Sequence, residues 1–336
     1  MKSLLLGTLA LTLVTVPTVA IAQSPLPTQA PPAAELSASI QTTDEAAMAT
    51  LVNSVATLAD QGNFETLESL YADSVQIDYT SLFGGDVQTH TPASLMTAWA
   101  SLLPGFDQTY HAISNIQVNA AGDRAIATAD VTASHYLGDD YWQVSGRYEY
   151  QFVRRPNGWK IEAMTFEFSD EQGDRTLLEQ AAIEAADNPV SYLQRQQTEQ
   201  TVRTFLTSLE AKDMDAFAAV WAEDAVQDMP YAPEGFPRRV EGRDNLIQHY
   251  GAWPEVSGTA NFTDELVFYP MADPTMVFAE WHGVVEIIPT GRIYDQRYGG
   301  LFQVVDGKIV LFREYFNPIV FVEAFGLDEG GEFGNQ

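Results

Sequence analysis

The sequence predicts an α+β fold that occurs twice along one chain, each copy placing its helices before a strongly curved antiparallel sheet. The segment L-Y-A-D-S-V-Q-I-D around Tyr71 is repeated, with substitutions, as V-W-A-E-D-A-V-Q-D-M around Trp221. A Gly-centred turn joins alternating apolar runs at Asn157-Gly158 and again at Asp306-Gly307, and such dipeptides are strong hairpin signals. These landmarks recur at spacings of 150 and 149 residues, which indicates a duplicated domain.

The first 22 residues have the features of a secretory signal peptide. Lys2 precedes an apolar run, and Ala20-Ile21-Ala22 offers small residues where signal peptidase cleaves. The alternative is a transmembrane anchor, but Thr15 and Pro17 interrupt the run and no basic residues follow it. We therefore expect an exported protein, periplasmic or extracellular, in which residues 23–42 form a flexible linker rich in Pro and Ala.

The first copy is predicted to occupy residues 43–172 and to be covered by three N-terminal helices. The first helix begins at Thr43 and is amphipathic, the second begins near Asn63, and the third has Thr91 as its cap and Pro92 at its first position. Strands are expected near 75–79, 110–118, 124–136, 141–154 and 158–168.

The second copy is predicted to repeat this order over residues 196–327. A helical linker, residues 173–195, connects the copies and is broken at Asp187-Asn188-Pro189. The Gly- and acid-rich residues 328–336 form a flexible tail. Because helices precede strands in both copies, the pattern favours α+β over an alternating α/β fold.

Composition excludes several classes of function. The chain carries a formal net charge of −29 and has no long run of Lys or Arg, so a nucleic-acid groove or an anionic membrane surface is a poor partner. It has no cysteine, which rules out disulfides, a thiolate nucleophile and a Cys-based zinc site. Histidines are scattered singly and no nucleotide-binding or zinc-protease motif is present, so we expect no metal and no organic cofactor.

Candidate site residues come from strand ends in the first copy. Small residues alternate with outward ones along 125–133 and the series ends at His135, which places an imidazole at the rim of an unfilled concave face. His111 begins the preceding strand, Asp60 ends the first helix and Tyr79 ends the first strand. Each has an ordinary alternative, such as a core histidine bonded to a carbonyl, a helix-end turn residue or a core aromatic.

The strings I-D-Y-T-S-L-F, Y-H, S-H-Y, G-R-Y-E-Y and N-G-W-K-I over residues 43–170 resemble the SnoaL-like family, within the nuclear transport factor 2-like superfamily, in its scytalone dehydratase branch. This resemblance implies a cone-shaped domain with a pocket and an acid/base loss of water from a β-hydroxy ketone. Histidine would be the acid/base, an aspartate would orient one histidine, and no cofactor would be needed. The corresponding residues are Asp60, Tyr79, His111 and His135; the branch's tyrosine before the aspartate is replaced here by Ala59.

The second copy resembles a different branch of the same superfamily. D-N-L-I-Q-H-Y and the ending R-E-Y-F-N-P, within residues 197–327, are similar to the phenazine-biosynthesis A/B branch. The implied pocket residues are His249, Tyr294 and Glu314. The alternative for Glu314 is a strand-end ion pair with Arg313. Glu210 matches Asp60, but no histidine matches the pair of the first copy.

These observations predict a first domain that is a cofactor-independent lyase or isomerase, dehydratase-like, acting on a small hydrophobic carbonyl compound. The competing class is a non-catalytic binding protein for a small hydrophobic molecule. A homo-oligomer and an intramolecular pairing of the two domains both remain open. We expect Asp60 and His135 to lie within hydrogen-bond reach or to be bridged by one water molecule. We also expect His111 to face the same cavity, and Glu314 to enter the second cavity from the last strand.

Overall fold

The structure, a computed structural model, describes residues 33–327. The predicted signal peptide, most of the predicted linker and the predicted tail lie outside the described residues. Two separate sheets account for the two copies, one with six strands and one with seven. The duplicated α+β architecture predicted from the sequence is confirmed, since no strand of one sheet pairs with a strand of the other in the described chain.

Domain 1 places helices before and between its first strands and then runs through three long hairpins. Its elements are α1 (Ala33–Asp60), α2 (Phe64–Glu68), β1 (Tyr71–Asp78), α3 (Thr80–Phe83), β2 (Gln88–His90), α4 (Pro92–Ala100), a 3-10 turn (Leu103–Gly105), β3 (Gln108–Ala121), β4 (Arg124–Leu137), β5 (Asp140–Arg155) and β6 (Gly158–Gly173). Helix α5 (Leu177–Asp187) follows, in the segment predicted to be a linker.

Domain 2 repeats the order with several changes. Its elements are α6 (Ser191–Ala211), α7 (Met214–Ala219), β7 (Trp221–Asp228), β8 (Arg239–Glu241), α8 (Arg243–Tyr250), α9 (Trp253–Val256), β9 (Ser257–Asn261), β10 (Val267–Pro270), β11 (Met276–Ile287), β12 (Arg292–Val305), β13 (Lys308–Tyr315) and α10 (Pro318–Ala324). The single strand β3 of domain 1 corresponds to two short strands, β9 and β10, which both pair with β11.

Each sheet is mixed, which corrects the prediction of purely antiparallel sheets. The strand order is β2-β1-β6-β5-β4-β3 in domain 1 and β10-β11-β12-β13-β7-β8 in domain 2. The hairpins are antiparallel, but β1 pairs parallel with β6 and β7 pairs parallel with β13. The parallel pair arises because the chain crosses over through a helix after the first strand and returns to it only through the final hairpin.

Several predicted boundaries were also wrong. Helix α1 begins at Ala33 rather than Thr43, so the last residues of the predicted flexible linker are helical. Strands β3 and β6 extend several residues beyond their predicted ends, because backbone pairing continues past the apolar alternation that revealed them. The short elements α3 and β2 were missed, since neither has enough residues to show a period.

Helices cover one face of each sheet and leave space between them and the strands. In domain 1 the buried side of α1, with Met48 and Val52, packs with α4 against the small residues of β4, such as Ala127 and Ala129. Small residues on this inner face predicted an unfilled space, and a cavity lies there. Helix α5 closes one end, where Gly105 lies so close to the Ala181 carbonyl that a Cβ would be 1.7 Å from its oxygen.

Candidate active site

The first cavity lies inside domain 1 between helix α1, the short helix α3 and the curved strands β3 to β6. Its volume is about 150 Å³, which suits a molecule of about the size of benzene or slightly larger. Three of the four residues predicted for this site line it, namely Tyr79, His111 and His135. The fourth, Asp60, does not line the cavity but contacts the ring of His111. Most of the remaining lining is apolar or aromatic, including Trp99, Trp142, Tyr148, Tyr150 and Phe166.

Asp60, the last residue of α1, holds His111 at the start of β3. One carboxylate oxygen lies 2.6 Å from His111 Nδ1 and also accepts a hydrogen bond from the Thr109 hydroxyl at 2.9 Å. The other oxygen accepts the His111 backbone N–H at 2.8 Å. Burial opposes ionisation of Asp60, but these hydrogen bonds and the His111 ring together lower its pKa. The contacts fix the His111 ring and leave its Nε2 free to meet a ligand.

This pairing corrects the predicted one, which joined Asp60 to His135. Strand register explains the difference: Thr109 on β3 pairs with His135 on β4, and Thr109 binds the carboxylate, so His135 lies one strand further from Asp60. His111 comes two residues after Thr109 on the same strand and meets the carboxylate. The two imidazoles still share the cavity, with ring centroids 5.6 Å apart and planes nearly perpendicular.

His135 is buried between aromatic rings. The centroid of its ring lies 5.0 Å from that of Phe106 and 4.9 Å from that of Trp142, and the residue is only 4% exposed. Burial, with a smaller contribution from His111, lowers the pKa of His135 to about 4. The ring is therefore uncharged near neutral pH, and its Nδ1 has no hydrogen-bond partner among the described residues. His111 is thus held by the Asp60 carboxylate, whereas His135 is kept neutral by burial.

Two tyrosines add hydroxyl groups to the cavity. Tyr79, which follows β1, was predicted, and the interaction of its hydroxyl with that of Tyr148 on β5 influences the pKa of both groups. Tyr148 was not assigned a role from the sequence, although it lies in the G-R-Y-E-Y string. The internal repeat contains the missing signal, because Tyr298 occupies the corresponding place 150 residues later and lines the second cavity.

The second cavity lies in domain 2 and is much larger, about 570 Å³. The three predicted pocket residues line it: His249 from α8, Tyr294 from β12 and Glu314 from β13. More than half of its lining residues are aromatic, and none is Lys or Arg. The strands differ at one inner pair: Gly300 pairs with Glu314, whereas the corresponding pair in domain 1 is Tyr150 with Met164, and the space beside Gly300 is filled by Trp281, Phe302 and Phe312.

Glu314 turns into the cavity rather than pairing with its neighbour. Arg313 points the other way and its Nε donates to Asp228 at 2.8 Å, so the predicted alternative of an Arg313–Glu314 ion pair is wrong. Oε2 of Glu314 accepts a hydrogen bond from Gln227 Nε2 at 2.9 Å. Burial raises the pKa of Glu314 to about 7, and the Gln227 bond opposes this only in part.

Of the other two predicted residues of this cavity, Tyr294 is buried and His249 is partly buried. Burial lowers the pKa of His249 and raises that of Tyr294 to about 12. The sequence did not single out Gln227 or Tyr250, whose hydroxyl also accepts from Gln227 at 2.8 Å. A buried glutamine on β7 has no local pattern that would mark it, and its role follows only from the parallel pairing of β7 with β13.

The two cavities have diverged at the end of their first helices. Glu210 corresponds to Asp60 and accepts hydrogen bonds from the backbone N–H groups of Phe262 and Thr263. Glu210 therefore binds the backbone N–H of Phe262 as Asp60 binds that of His111. Because the residue in the place of His111 is Phe262, no imidazole meets the Glu210 carboxylate. The predicted absence of a histidine opposite Glu210 is confirmed in the described chain.

Two features concern metals and membranes. Within residues 33–327, no three His, Asp or Glu side chains come together in an arrangement that could hold a metal ion. None of the helices in that range combines the length and the apolar character that a membrane crossing requires.

Comparison with known proteins identifies both halves of the chain. Models of a SnoaL-like domain match residues 41–165 and, separately, residues 202–312. The chain is 39% identical over 127 residues to the uncharacterized protein YesE of Bacillus subtilis, covering 38% of this chain and 86% of YesE. It is 35% identical over 121 residues to the uncharacterized PhzA/B-like protein PA3332 of Pseudomonas aeruginosa, covering 36% of this chain and 84% of that protein. Among solved structures, the Kfla4162 protein of Kribbella flavida is 30% identical, with a TM-score of 0.39, over 42% of this chain and 98% of that one.

Proposed function

The chain belongs to the SnoaL-like family, with two SnoaL-like domains in tandem, and on this premise we propose that domain 1 is a cofactor-independent acid/base enzyme. Its reaction is a dehydration or isomerisation of a small hydrophobic carbonyl compound. The observation that supports the proposal is a pair of histidines in different environments at one apolar cavity. His111 is hydrogen-bonded to Asp60, and His135 is kept neutral by burial.

The geometry supports a division of roles. Asp60 fixes the tautomer of His111 by accepting from Nδ1, so Nε2 is the atom that exchanges protons with a ligand. His135, enclosed by Phe106 and Trp142, offers an uncharged ring that holds a polar group of the substrate. Tyr79 and Tyr148 supply hydroxyls that polarise the carbonyl oxygen. Catalytic roles therefore fall on His111, His135 and the tyrosines, with Asp60 as the positioning residue.

For a β-hydroxy ketone the proton balance closes within the cavity. His111 Nε2 removes the proton next to the carbonyl, and the electron pair of that C–H bond moves toward the carbonyl oxygen, which the tyrosine hydroxyls stabilise. The carbon–carbon double bond then forms as the β C–O bond breaks. The departing oxygen takes the proton back from His111 and leaves as water, and the histidine returns to its starting state.

The competing function is a binding protein whose first cavity holds a small apolar ligand without turnover. The volume of about 150 Å³ and the aromatic lining fit both functions. Only a kinetic measurement separates them, because the enzyme and the binder share the same contacts with a bound ligand.

The test uses a panel of small β-hydroxy ketones and follows the ultraviolet absorption of the enone product. His111→Ala is expected to lower kcat by about 10²- to 10⁴-fold while ligand affinity stays within about tenfold. His90→Ala serves as the matched control, since His90 contacts Ser94 outside the cavity. Saturable binding with no turnover by the native chain, and a change of affinity alone in His111→Ala, would establish the binding protein instead.

We also propose that the protein is exported, on the strength of the signal-peptide features of residues 1–22. The mature chain then begins at Gln23. Expression in a bacterial host, followed by fractionation and N-terminal sequencing, is expected to recover this chain from the periplasm or medium. A chain that retains Met1 in the membrane fraction would identify an uncleaved anchor.

A further inference from the structure

We propose that the cavity of domain 2 is a binding site for an apolar or aromatic amine, whose ammonium group meets Glu314 and whose hydrocarbon part lies among the aromatic rings. This site is separate from the acid/base site of domain 1, uses no residue in common with it and carries a different chemistry. The proposal stands on four features of the cavity: an inward carboxyl, the absence of a lining cation, the aromatic enclosure and the available volume.

The carboxyl of Glu314 is positioned for an incoming partner. Oε2 is held by Gln227, whose amide nitrogen also donates to Tyr250 and is thereby fixed. No hydrogen bond to Oε1 is formed within residues 33–327, and the side chain lines the cavity. Its sequence neighbour Arg313 is engaged with Asp228. The carboxylate thus has one neutral donor and room for a second, stronger one.

The charge of the cavity points to a cationic ligand. No Lys or Arg lines it, so a buried carboxylate there has no positive partner. His249 is the one basic side chain in the lining, and burial lowers its pKa so that it stays neutral. An ammonium group would supply the missing charge, whereas a ligand that carries its own carboxylate would place two negative charges together with nothing to neutralise them.

The aromatic lining complements the rest of such a ligand. Rings that face the cavity include Trp253, Trp281, Tyr294, Tyr298 and Phe321. Trp281 and Tyr298 are stacked, with centroids 5.1 Å apart, and present a flat surface. Aromatic faces attract cations and also bury apolar groups, so rings beside a carboxylate favour an amine over a neutral ligand of the same shape. A volume of about 570 Å³ admits two fused rings.

Ligand binding is expected to release a proton. Burial raises the pKa of Glu314 to about 7, so the group is partly protonated near neutral pH. The groups that face it are Gln227 from β7, Tyr250 from α8, and Tyr294 and Tyr298 from β12, all uncharged in this pH range. A bound ammonium group favours the carboxylate form, and binding therefore expels the proton.

The experiment compares 2-naphthylmethylamine with its neutral counterpart 2-naphthylmethanol and with 2-naphthoate, by isothermal titration calorimetry on the full mature chain. The amine is expected to bind at least about tenfold more tightly than the alcohol, and the carboxylate more weakly than either. Titrations near pH 6.5 in two buffers of different ionisation enthalpy should show proton release for the amine alone.

Two variants distinguish the effect of the Glu314 carboxylate on amine binding from the effect of the overall negative charge of the chain. Glu314→Gln keeps the shape and removes the charge, and it should lower amine affinity by about tenfold or more while leaving the alcohol unchanged. Glu280→Gln makes the same change in charge at an exposed residue of β11, where only Tyr269 donates to it, and should keep amine affinity within about twofold.

Equal affinity for amine and alcohol, or equal loss in the two variants, would overturn the proposal. If Glu314→Gln does not fold, the comparison of the three ligands and the proton release in the native chain still decide the question. The result is also independent of the β-hydroxy ketone assay, because that assay reads the other cavity and other variants.

Discussion

The two buried titratable groups with the largest consequences, His135 in domain 1 and Glu314 in domain 2, should give the domains opposite responses to acid. Burial lowers the pKa of His135 from 6.5 to about 4 and raises that of Glu314 from 4.5 to about 7. Each difference corresponds to about 3 kcal/mol, at about 1.4 kcal/mol per pH unit. Both act over nearly the same range of pH, between about 4 and 7.

The direction follows from which state binds the proton. As pH falls below 6.5, the unfolded chain protonates His135 while the folded chain does not, so domain 1 loses stability down to about pH 4. Glu314 behaves in the opposite way. Between about pH 7 and pH 4.5 the folded chain carries a proton on Glu314 and the unfolded chain does not, so domain 2 gains stability as the pH falls. Asp60, whose pKa is lowered, affects stability only in more acidic solution.

The assay measures the free energy of unfolding of His135→Asn and Glu314→Gln, each relative to the native chain, at pH 7 and pH 4.5. This comparison cancels groups common to both proteins, including His249. From pH 7 to pH 4.5, the relative stability of His135→Asn should rise by about 2–3 kcal/mol, and that of Glu314→Gln should fall by a similar amount. Changes of the same sign, or changes below about 0.5 kcal/mol in both variants, would refute the assigned burial effects.

Two further substitutions test the packing around the first cavity. Asp60→Ala removes the acceptor of three hydrogen bonds and should lower the free energy of unfolding in urea by about 3–5 kcal/mol. Asp60→Asn keeps one acceptor oxygen and should lower it distinctly less. Equal losses in the two variants would contradict the stabilising role of these hydrogen bonds. Gly105→Ala should separate the 3-10 turn from α5, because its Cβ would lie 1.7 Å from the Ala181 oxygen. Hydrogen exchange should then speed up across Leu177–Asp187, and unchanged protection there would contradict the close approach.

Duplication has kept the sheet and changed the cavities. The carboxyl group at the end of the first helix binds the same backbone in both domains, through Asp60 and Glu210, but His111 is matched by Phe262. In the same way Met164 is matched by Glu314, which adds an acid on the last strand of domain 2. The fold tolerates these exchanges since each new side chain occupies the volume of the old one or faces the cavity.

The sequence by itself determined the duplication, the α+β class and some of the residues around each cavity. Repeated strings in register and glycine turns are local signals, and the strand alternation that ends at His135 fixes the face on which that residue lies. Glu314 was placed in its cavity by a different means, the resemblance of the surrounding string to the phenazine-biosynthesis A/B branch.

Only the tertiary structure decided which of these residues meet. Asp60 binds His111 on β3 rather than His135 on β4. No sequence pattern encodes the register between the end of a helix and a strand, so the sequence could not show which histidine the carboxylate meets. The parallel pairing of β7 with β13 likewise brings Gln227 to Glu314 across 87 residues of chain. The pKa values of His135 and Glu314 depend on burial by residues distant in sequence, so their direction followed from the fold and not from the local chain.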